Sequence, residues 1–592
     1  MMMPPGEAGP RRSSWPVGRA GAVGLAALAI VAWLLLPSAP GYDTATHLVW
    51  ARELLAGRAA DVNAAAAPTM HPLWLLLAVP AVATGVGGSL LQLLDLFALA
   101  LVIACVWRLA ADLAGRVAGA VAAVSVGSSF ALLLLAFKAY VDLPFLALAL
   151  LAVVFERGYV APGVRRAAGG VSSSRAAGAR ALAALADRQA GVARQREVGP
   201  FVVPGLLFVA GLLRPEAWAF GLLFLFVRWL RGATIGRLWA PALVVLAAPV
   251  LWALADLVLS GDPLHSLTGT QQLAEALGRK TGLGNAPVEL VRQLGDLARP
   301  PVAAAGVVGA ALAVHRLGWR PMVVVVAPLL AGVAGFLLVG ALGLPLLQRY
   351  LLVPAALLAV FAGVAAAAIL ATALGRELPG ALGGAAPAGG DGSTSPADGG
   401  IGATPQQRPH AAAAPVPAGL RAIAALALVV GVGGAGGYVV LKAGSFRVLA
   451  DGVVREATWQ RQATELLEEH RAEMARDLRL VTLPTYRFVP ELQLATGMRP
   501  TEIVSRAREL GGEGPQTHGL ALVIEGSKAA RTRLGEAAAI SRSTNTVPPG
   551  FVVVGRRGPF VLAAARVNDV AVSRGAEESE RAVGRHTARA SR

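Results

Sequence analysis

Apolar and polar positions alternate along this chain on a coarse scale. Apolar runs of about 20 residues are divided by arginine-bearing turns or by longer polar loops, and a helix needs that length to cross a bilayer core. The runs predict spans at roughly 20–37, 89–108, 115–137, 142–156, 238–258, 300–315, 321–343, 351–373 and 419–441. Two shorter apolar arms flank Arg214-Pro215-Glu216, where Pro215 disfavours an uninterrupted helix, and they bring the prediction to about eleven spans. The run at 72–84 is too short to cross comfortably and predicts an interfacial helix.

The turns give the spans an orientation. Arg11, Arg12 and Arg19 precede the first run, while Arg108, Arg116, Arg157, Arg228, Arg231, Arg237, His315, Arg316 and Arg320 mark alternate turns. Basic turns face the cytoplasm. The N-terminus is therefore expected inside, and the loops at 41–88 and 259–299 outside. The turn holding Lys138, Tyr140 and Asp142 falls on the same outer side, as does Leu344–Tyr350. The expected location is the cytoplasmic (inner) membrane, with the first span kept as a signal-anchor.

Composition agrees. Hydrophobic residues make up 55% and charged residues 15%, which excludes an ordinary soluble chain. The net charge of +17 is explained by cytoplasmic loops over anionic lipid, most of all by the basic loop 157–199, and no nucleic-acid-binding module carries it. With Cys105 as the lone cysteine, no intrachain disulfide can form.

Beyond the membrane part (1–374), residues 375–418 are Gly/Ala/Pro-rich and read as a disordered cytoplasmic linker. After the span at 419–441 the pattern changes. TWQRQATELLEEHRAEMARDL is an amphipathic helix, and LRLVTLP, LALVIEG and FVVVGRRGPFVLAAARV read as strands, which predicts a small extracytoplasmic α/β domain over 445–570. A disordered tail, 571–592, follows. The fold class expected is thus mainly α: a polytopic transmembrane bundle with a small C-terminal α/β domain.

The candidate chemistry gathers on the outer side. The first loop holds Asp43, His47 and His71 beside Tyr42, Trp50 and Trp74. Lys138 and Asp142, the Arg214–Glu216 break, and Arg349 with Tyr350 all fall at the same membrane face. Each has an ordinary structural use: Asp142 as an N-cap, Arg214 with Glu216 as a local ion pair, Arg349 as an interfacial anchor. No metal-ligand spacing and no phosphate-cradling glycine loop occurs in the sequence.

The order of these features resembles the GT-C superfamily of polytopic glycosyltransferases, which includes the protein O-mannosyltransferases and the lipid A aminoarabinose transferase. GYDTATHLVWARELLAG supplies the acid after the first span, PTMHPLW the interfacial-helix motif, YVDLPFLALAL the second outward acid, and LLQRYLLVPAALL the late Arg-Tyr. The resemblance covers roughly 20–375 and implies transfer of a sugar from a polyprenyl-phosphate donor to a glycan, lipid or protein acceptor of the cell envelope, with mannose and arabinose as guesses for the sugar. It implies Asp43 as general base in a single inverting displacement, and Arg349 beside the leaving phosphate with Arg214 and Lys138 behind it. His47, His71, Asp142, Glu216 and Tyr350 are the remaining substrate-binding candidates. Cofactor use stays open: Asp43 and Asp142 could share a divalent cation or act without one. A transporter or flippase of lipid-linked sugars is the alternative from another class, and a scaffold binding wall polymer is a third.

Overall fold

The structure is a computed structural model, and it describes residues 18–64, 66–158, 199–379, 381–383, 417–470, 480–506, 518–526 and 545–565. The basic loop, most of the linker and the tail expected from the sequence lie outside the described residues.

The chain opens with helix α1 (Gly18–Leu35), followed by two short helices, α2 (Tyr42–Leu55) and α3 (Pro72–Ala83), in the stretch read from the sequence as the first loop. Helix α4 (Gly88–Gly127) is a hairpin of two arms. Gly115 takes φ +82°, which a side chain would resist, and the chain doubles back there. A Cβ on Gly127 would lie 3.3 Å from Ile103, and one on Gly119 3.0 Å from Trp107, so the second arm runs against the first. This turn is the one that Arg108 and Arg116 mark in the sequence. Helix α5 (Phe130–Phe137) extends the second arm, and α6 (Asp142–Gly158) leaves it at a bend of 119°.

The Arg-Pro-Glu element separates helices Val202–Gly211 and Glu216–Leu230 as the proline requires. The helix Ile235–Ser260 leads to the second loop, which folds into helices His265–Ala276 and Ala286–Ala298. Three apolar helices follow, Pro300–Leu317, Trp319–Ala341 and Leu352–Ala373. Among the described residues, five helices are long and apolar enough to cross a membrane, or six if α5 and α6 count as one bent span. Shorter apolar helices, including Ala20–Leu35 and Val202–Gly211, accompany them.

Leu352–Ala373 is the central post of the bundle, buried along nearly its whole length. It packs closely because glycines let backbones meet: a Cβ on Gly306 or Gly309 would strike the carbonyls of Leu358 and Phe361, and one on Gly363 the carbonyl of Ala118. Without a hydrophobic drive between helices in lipid, such small-residue contacts carry much of the association.

The last predicted span and the amphipathic helix after it form one continuous helix, Ala418–Glu469. The backbone shows no break at the sequence division near 441–445. Its far end packs Trp459, Ala463, Leu466 and Leu467 against a five-stranded sheet in the order β2-β1-β3-β5-β4. Strands β1 (Val481–Leu483), β3 (Leu520–Ile524), β4 (Phe551–Arg557) and β5 (Phe560–Ala565) fall within the predicted stretches. Strand β2 (Ile503–Ser505) and helix Val489–Thr496 were not predicted. β1 pairs parallel with β2 and β3, and β5 antiparallel with β3 and β4.

Candidate active site

The site is built where helices end. Gly41 begins it: its N–H donates to the carbonyl of Lys138 at 2.7 Å, and the hydroxyl of Thr44 donates to the carbonyl of Ala139. These bonds tie the start of α2 to the turn between α5 and α6. Ala139 has a positive φ of 54°, a strained setting for a residue with a Cβ that the two neighbouring bonds help to hold. Gly41 must be glycine-sized, since a Cβ there would lie 2.7 Å from the ring of Tyr140.

Asp43, in the first turn of α2, then meets Arg349, which lies in a short 3-10 turn (Gln348–Leu351) at the head of the central post. The guanidinium donates to the carboxylate at 3.2 Å. A second pair sits beside it. Arg214 donates to Asp142 and, at 2.5 Å, to Glu216, while its guanidinium lies 5.7 Å from the centre of the Phe145 ring and 5.4 Å from that of Tyr350. The two pairs differ in access. The side chains of Arg214 and Asp142 are 3% and 1% exposed, those of Arg349 and Asp43 25% and 20%. Arg214 is thus a buried brace held by two carboxylates, and Arg349 is the cation a ligand can reach.

The histidines form a wall beside Asp43. His47 Nδ1 lies 2.7 Å from the Asp43 carbonyl, a pure acceptor, so that nitrogen carries the proton. Nε2 accepts from the His71 backbone N–H at 3.1 Å. The rings of His47 and His71 stack at 5.6 Å, and Trp252 meets His71 edge-on at 5.7 Å. Burial pushes the His47 imidazole down to about 4 and His71 well below its ordinary value, so both are neutral near pH 7. The Nδ1 atom of His71 is buried without a partner among the described residues.

The second loop folds over this wall. Trp252 donates to Ser266, whose N–H and hydroxyl in turn donate to Asp256, and Thr69 pairs with Thr270 at 2.9 Å. Below the site, Asp95 and Gln92 are fully buried in the first arm of α4, and none of their side-chain polar atoms has a partner among the described residues.

Of the residues singled out from the sequence, Asp43, His47, His71, Asp142, Arg214, Glu216, Arg349 and Tyr350 come together here. Lys138 belongs by its backbone, but its ammonium group turns to Glu456 on the Ala418–Glu469 helix. Thr44, Tyr140 and Trp252 join the site without having been singled out for it. Tyr140 was visible only as a turn residue, and Trp252 as one more aromatic in an apolar span. Among the described residues no group of three or more His, Cys, Asp or Glu side chains is placed to hold a metal ion.

The solved structures similar to this chain include two of ArnT from Cupriavidus metallidurans. The one bound to undecaprenyl phosphate is 15% identical, covering 93% of this chain and 99% of that one, with a TM-score of 0.49. The apo structure is 14% identical, covering 93% and 98%, with a TM-score of 0.48. No family model matches the chain, and no curated protein matches it.

Proposed function

We propose that this chain is a multi-pass membrane glycosyltransferase of the cytoplasmic membrane that moves a sugar from a polyprenyl-phosphate donor to an acceptor hydroxyl on the outer face. In this reading residues 1–374 are the catalytic module with about eleven crossings for the whole chain, the N-terminus is cytoplasmic, and the C-terminal domain is outside.

The observation that carries the reading is the accessible Asp43–Arg349 pair at 3.2 Å. A carboxylate beside an open guanidinium supplies both needs of the reaction in one place. The Asp43 carboxylate takes the proton of the acceptor hydroxyl as its oxygen attacks the anomeric carbon. The bond from that carbon to the phosphate oxygen breaks, and the lipid phosphate leaves with the electron pair. A guanidinium carries five N–H donors in a planar fork, so the bond to Asp43 leaves donors free for the phosphate as its charge grows. One displacement inverts the anomeric centre. Arg214, braced by Asp142 and Glu216, fixes the Tyr350 ring beside Arg349, and the neutral histidines keep the floor of the site dry without adding charge.

The test is transfer of radiolabelled sugar from a panel of polyprenyl-phosphate donors by membranes holding the native protein or Asp43→Asn. Product from one donor that is lost in the variant at equal expression supports the reading. Equal product from both removes Asp43 as the base. No product from any donor, with protein-dependent movement of labelled lipid across the bilayer, replaces the transferase with a flippase.

A further inference from the structure

Helix α2 carries a second feature beside the histidine wall, with Trp50 meeting the His47 ring edge-on at 4.9 Å. Tyr42, Thr46 and Trp50 recur at fourfold spacing and form one wall of a cavity of about 230 Å³, closed on the other side by the C-terminal domain through Tyr486 and Gln493, with Asp61 at its rim. A single buried water needs roughly 10–15 Å³ of such space, so this is room for a ring-sized molecule. The cavity exists only because the domain docks. Arg52 donates to the carbonyls of Gln493 at 2.5 Å and Met498 at 2.7 Å, and the rings of Tyr42 and Tyr486 meet edge-to-face at 5.0 Å.

The lining has a definite chemistry. Three aromatic rings offer flat apolar surface; the Thr46 hydroxyl donates to the Tyr42 carbonyl and the Gln493 amide N–H to the Ile503 carbonyl, which leaves their oxygens as acceptors, and the one charged side chain in the lining is a carboxylate. Among the described residues no lysine or arginine lines the cavity. A sugar ring presents an apolar C–H face and a rim of hydroxyls, which match aromatic rings and amide or carboxylate groups respectively. An anionic head group would instead sit beside Asp61 with no lining cation to offset the repulsion. The position matters as well: Tyr42 begins this wall, and Asp43 is the next residue.

We infer that this cavity is the acceptor subsite and that it takes an uncharged carbohydrate, a neutral glycan end rather than a phosphorylated lipid head group. The inference rests on the transferase reading above, and it gives the C-terminal domain its role, which is to complete the acceptor site.

The test is saturation-transfer NMR on the full chain in detergent, with mannobiose, methyl arabinofuranoside and maltotriose as neutral probes and mannose 6-phosphate as the charged one. Thr46→Trp fills the cavity, Gln493→Leu removes its amide together with its bond to the Ile503 carbonyl, and Gly335→Ala, at a position facing open space, is the neutral control. Support is saturation of a neutral probe that falls about tenfold in apparent affinity in Gln493→Leu, is lost in Thr46→Trp, and persists in Gly335→Ala, with the thermal midpoints of the two cavity variants matching the native chain. Matching midpoints show that the detergent-solubilised variants still fold. Saturation unchanged by filling the cavity, no saturation by any neutral probe, or tighter binding of the phosphate ester would each overturn the proposal. Neutral-sugar binding with no donor turnover in the labelled-transfer assay would overturn the acceptor role together with the transferase reading, whereas turnover without neutral-sugar binding sinks the acceptor site alone.

Discussion

The Asp43 carboxylate and the Arg349 guanidinium meet at 3.2 Å across 306 residues of chain, one at the start of α2 and the other at the head of the central post. If this pair works as base and phosphate clamp, Asp43→Asn removes transfer. Arg349→Gln should lower kcat on the order of 10²- to 10³-fold, in the range of losing one charge-stabilising group. Arg349→Lys keeps the charge but not the fork and should fall between the two. Initial rates with a saturating acceptor, at matched expression, check all three.

His47 makes the site sensitive to acid. Its ring is buried, its ordinary value of 6.5 falls to about 4, and its neutral form both donates to the Asp43 carbonyl and accepts from His71. Between those two values the unfolded chain binds a proton that the folded one does not. Stability is therefore full above about pH 6.5 and declines as pH falls toward 4, by on the order of 3 kcal/mol from this residue, with His71 acting in the same direction. Thermal midpoints from pH 7.5 to 4.5 measure it, and His47→Gln should flatten the profile.

Arg52 is the latch between the first loop and the C-terminal domain. Its guanidinium reaches the carbonyls of Gln493 and Met498, where the short helix Val489–Thr496 ends. Hydrogen bonds from a charged donor are worth roughly 1.5–3 kcal/mol each. Arg52→Ala should lower hydrogen-exchange protection across 489–496 while leaving the helices of the bundle unchanged. An equal loss of protection in the central post would show that the latch is not local.

The bundle depends on two glycines of the Pro300–Leu317 helix. At Gly309 an added Cβ would enter the Phe361 carbonyl, so Gly309→Val must push two helices apart. Overpacking of this kind costs about 1–3 kcal/mol or more. Gly335 faces open space, and Gly335→Val is the matched control. The expected result is a clear fall in the thermal midpoint for the first and little change for the second.

At the opposite end of the bundle, Arg228 donates to Glu156 at 2.9 and 2.7 Å, and both side chains are buried. Glu156→Leu alone removes the counter-charge of a buried guanidinium, which keeps its bond to the Pro200 carbonyl, and should cost about 3–5 kcal/mol. The double change Glu156→Leu with Arg228→Met removes both charges and should recover much of the loss. A double-mutant cycle read by thermal unfolding decides it, and additive losses would deny the coupling.

The helices were legible because their signals are local. The length of an apolar run, a proline within it and the arginines at its ends act over a few turns, and helix boundaries in the bundle fall close to them. The turn at Gly115, the break at Pro215 and the shortness of α3 could all be read this way. Strand β2 could not, because three residues that pair only with a distant partner carry too little pattern of their own.

The candidate site divides along the same line. Sequence by itself determined that acids and arginines gather where the apolar runs end, since charge is excluded from the spans. Only the tertiary structure decided which carboxylate meets which cation: Arg214 is enclosed by Asp142 and Glu216, Lys138 is drawn to Glu456, and Arg349 is left half-open beside Asp43. Ion pairing falls off with distance in space and strengthens with burial, and neither quantity is written along the chain. The same holds for the cavity between Tyr42 and Tyr486, which exists only where two separately patterned segments are pressed together.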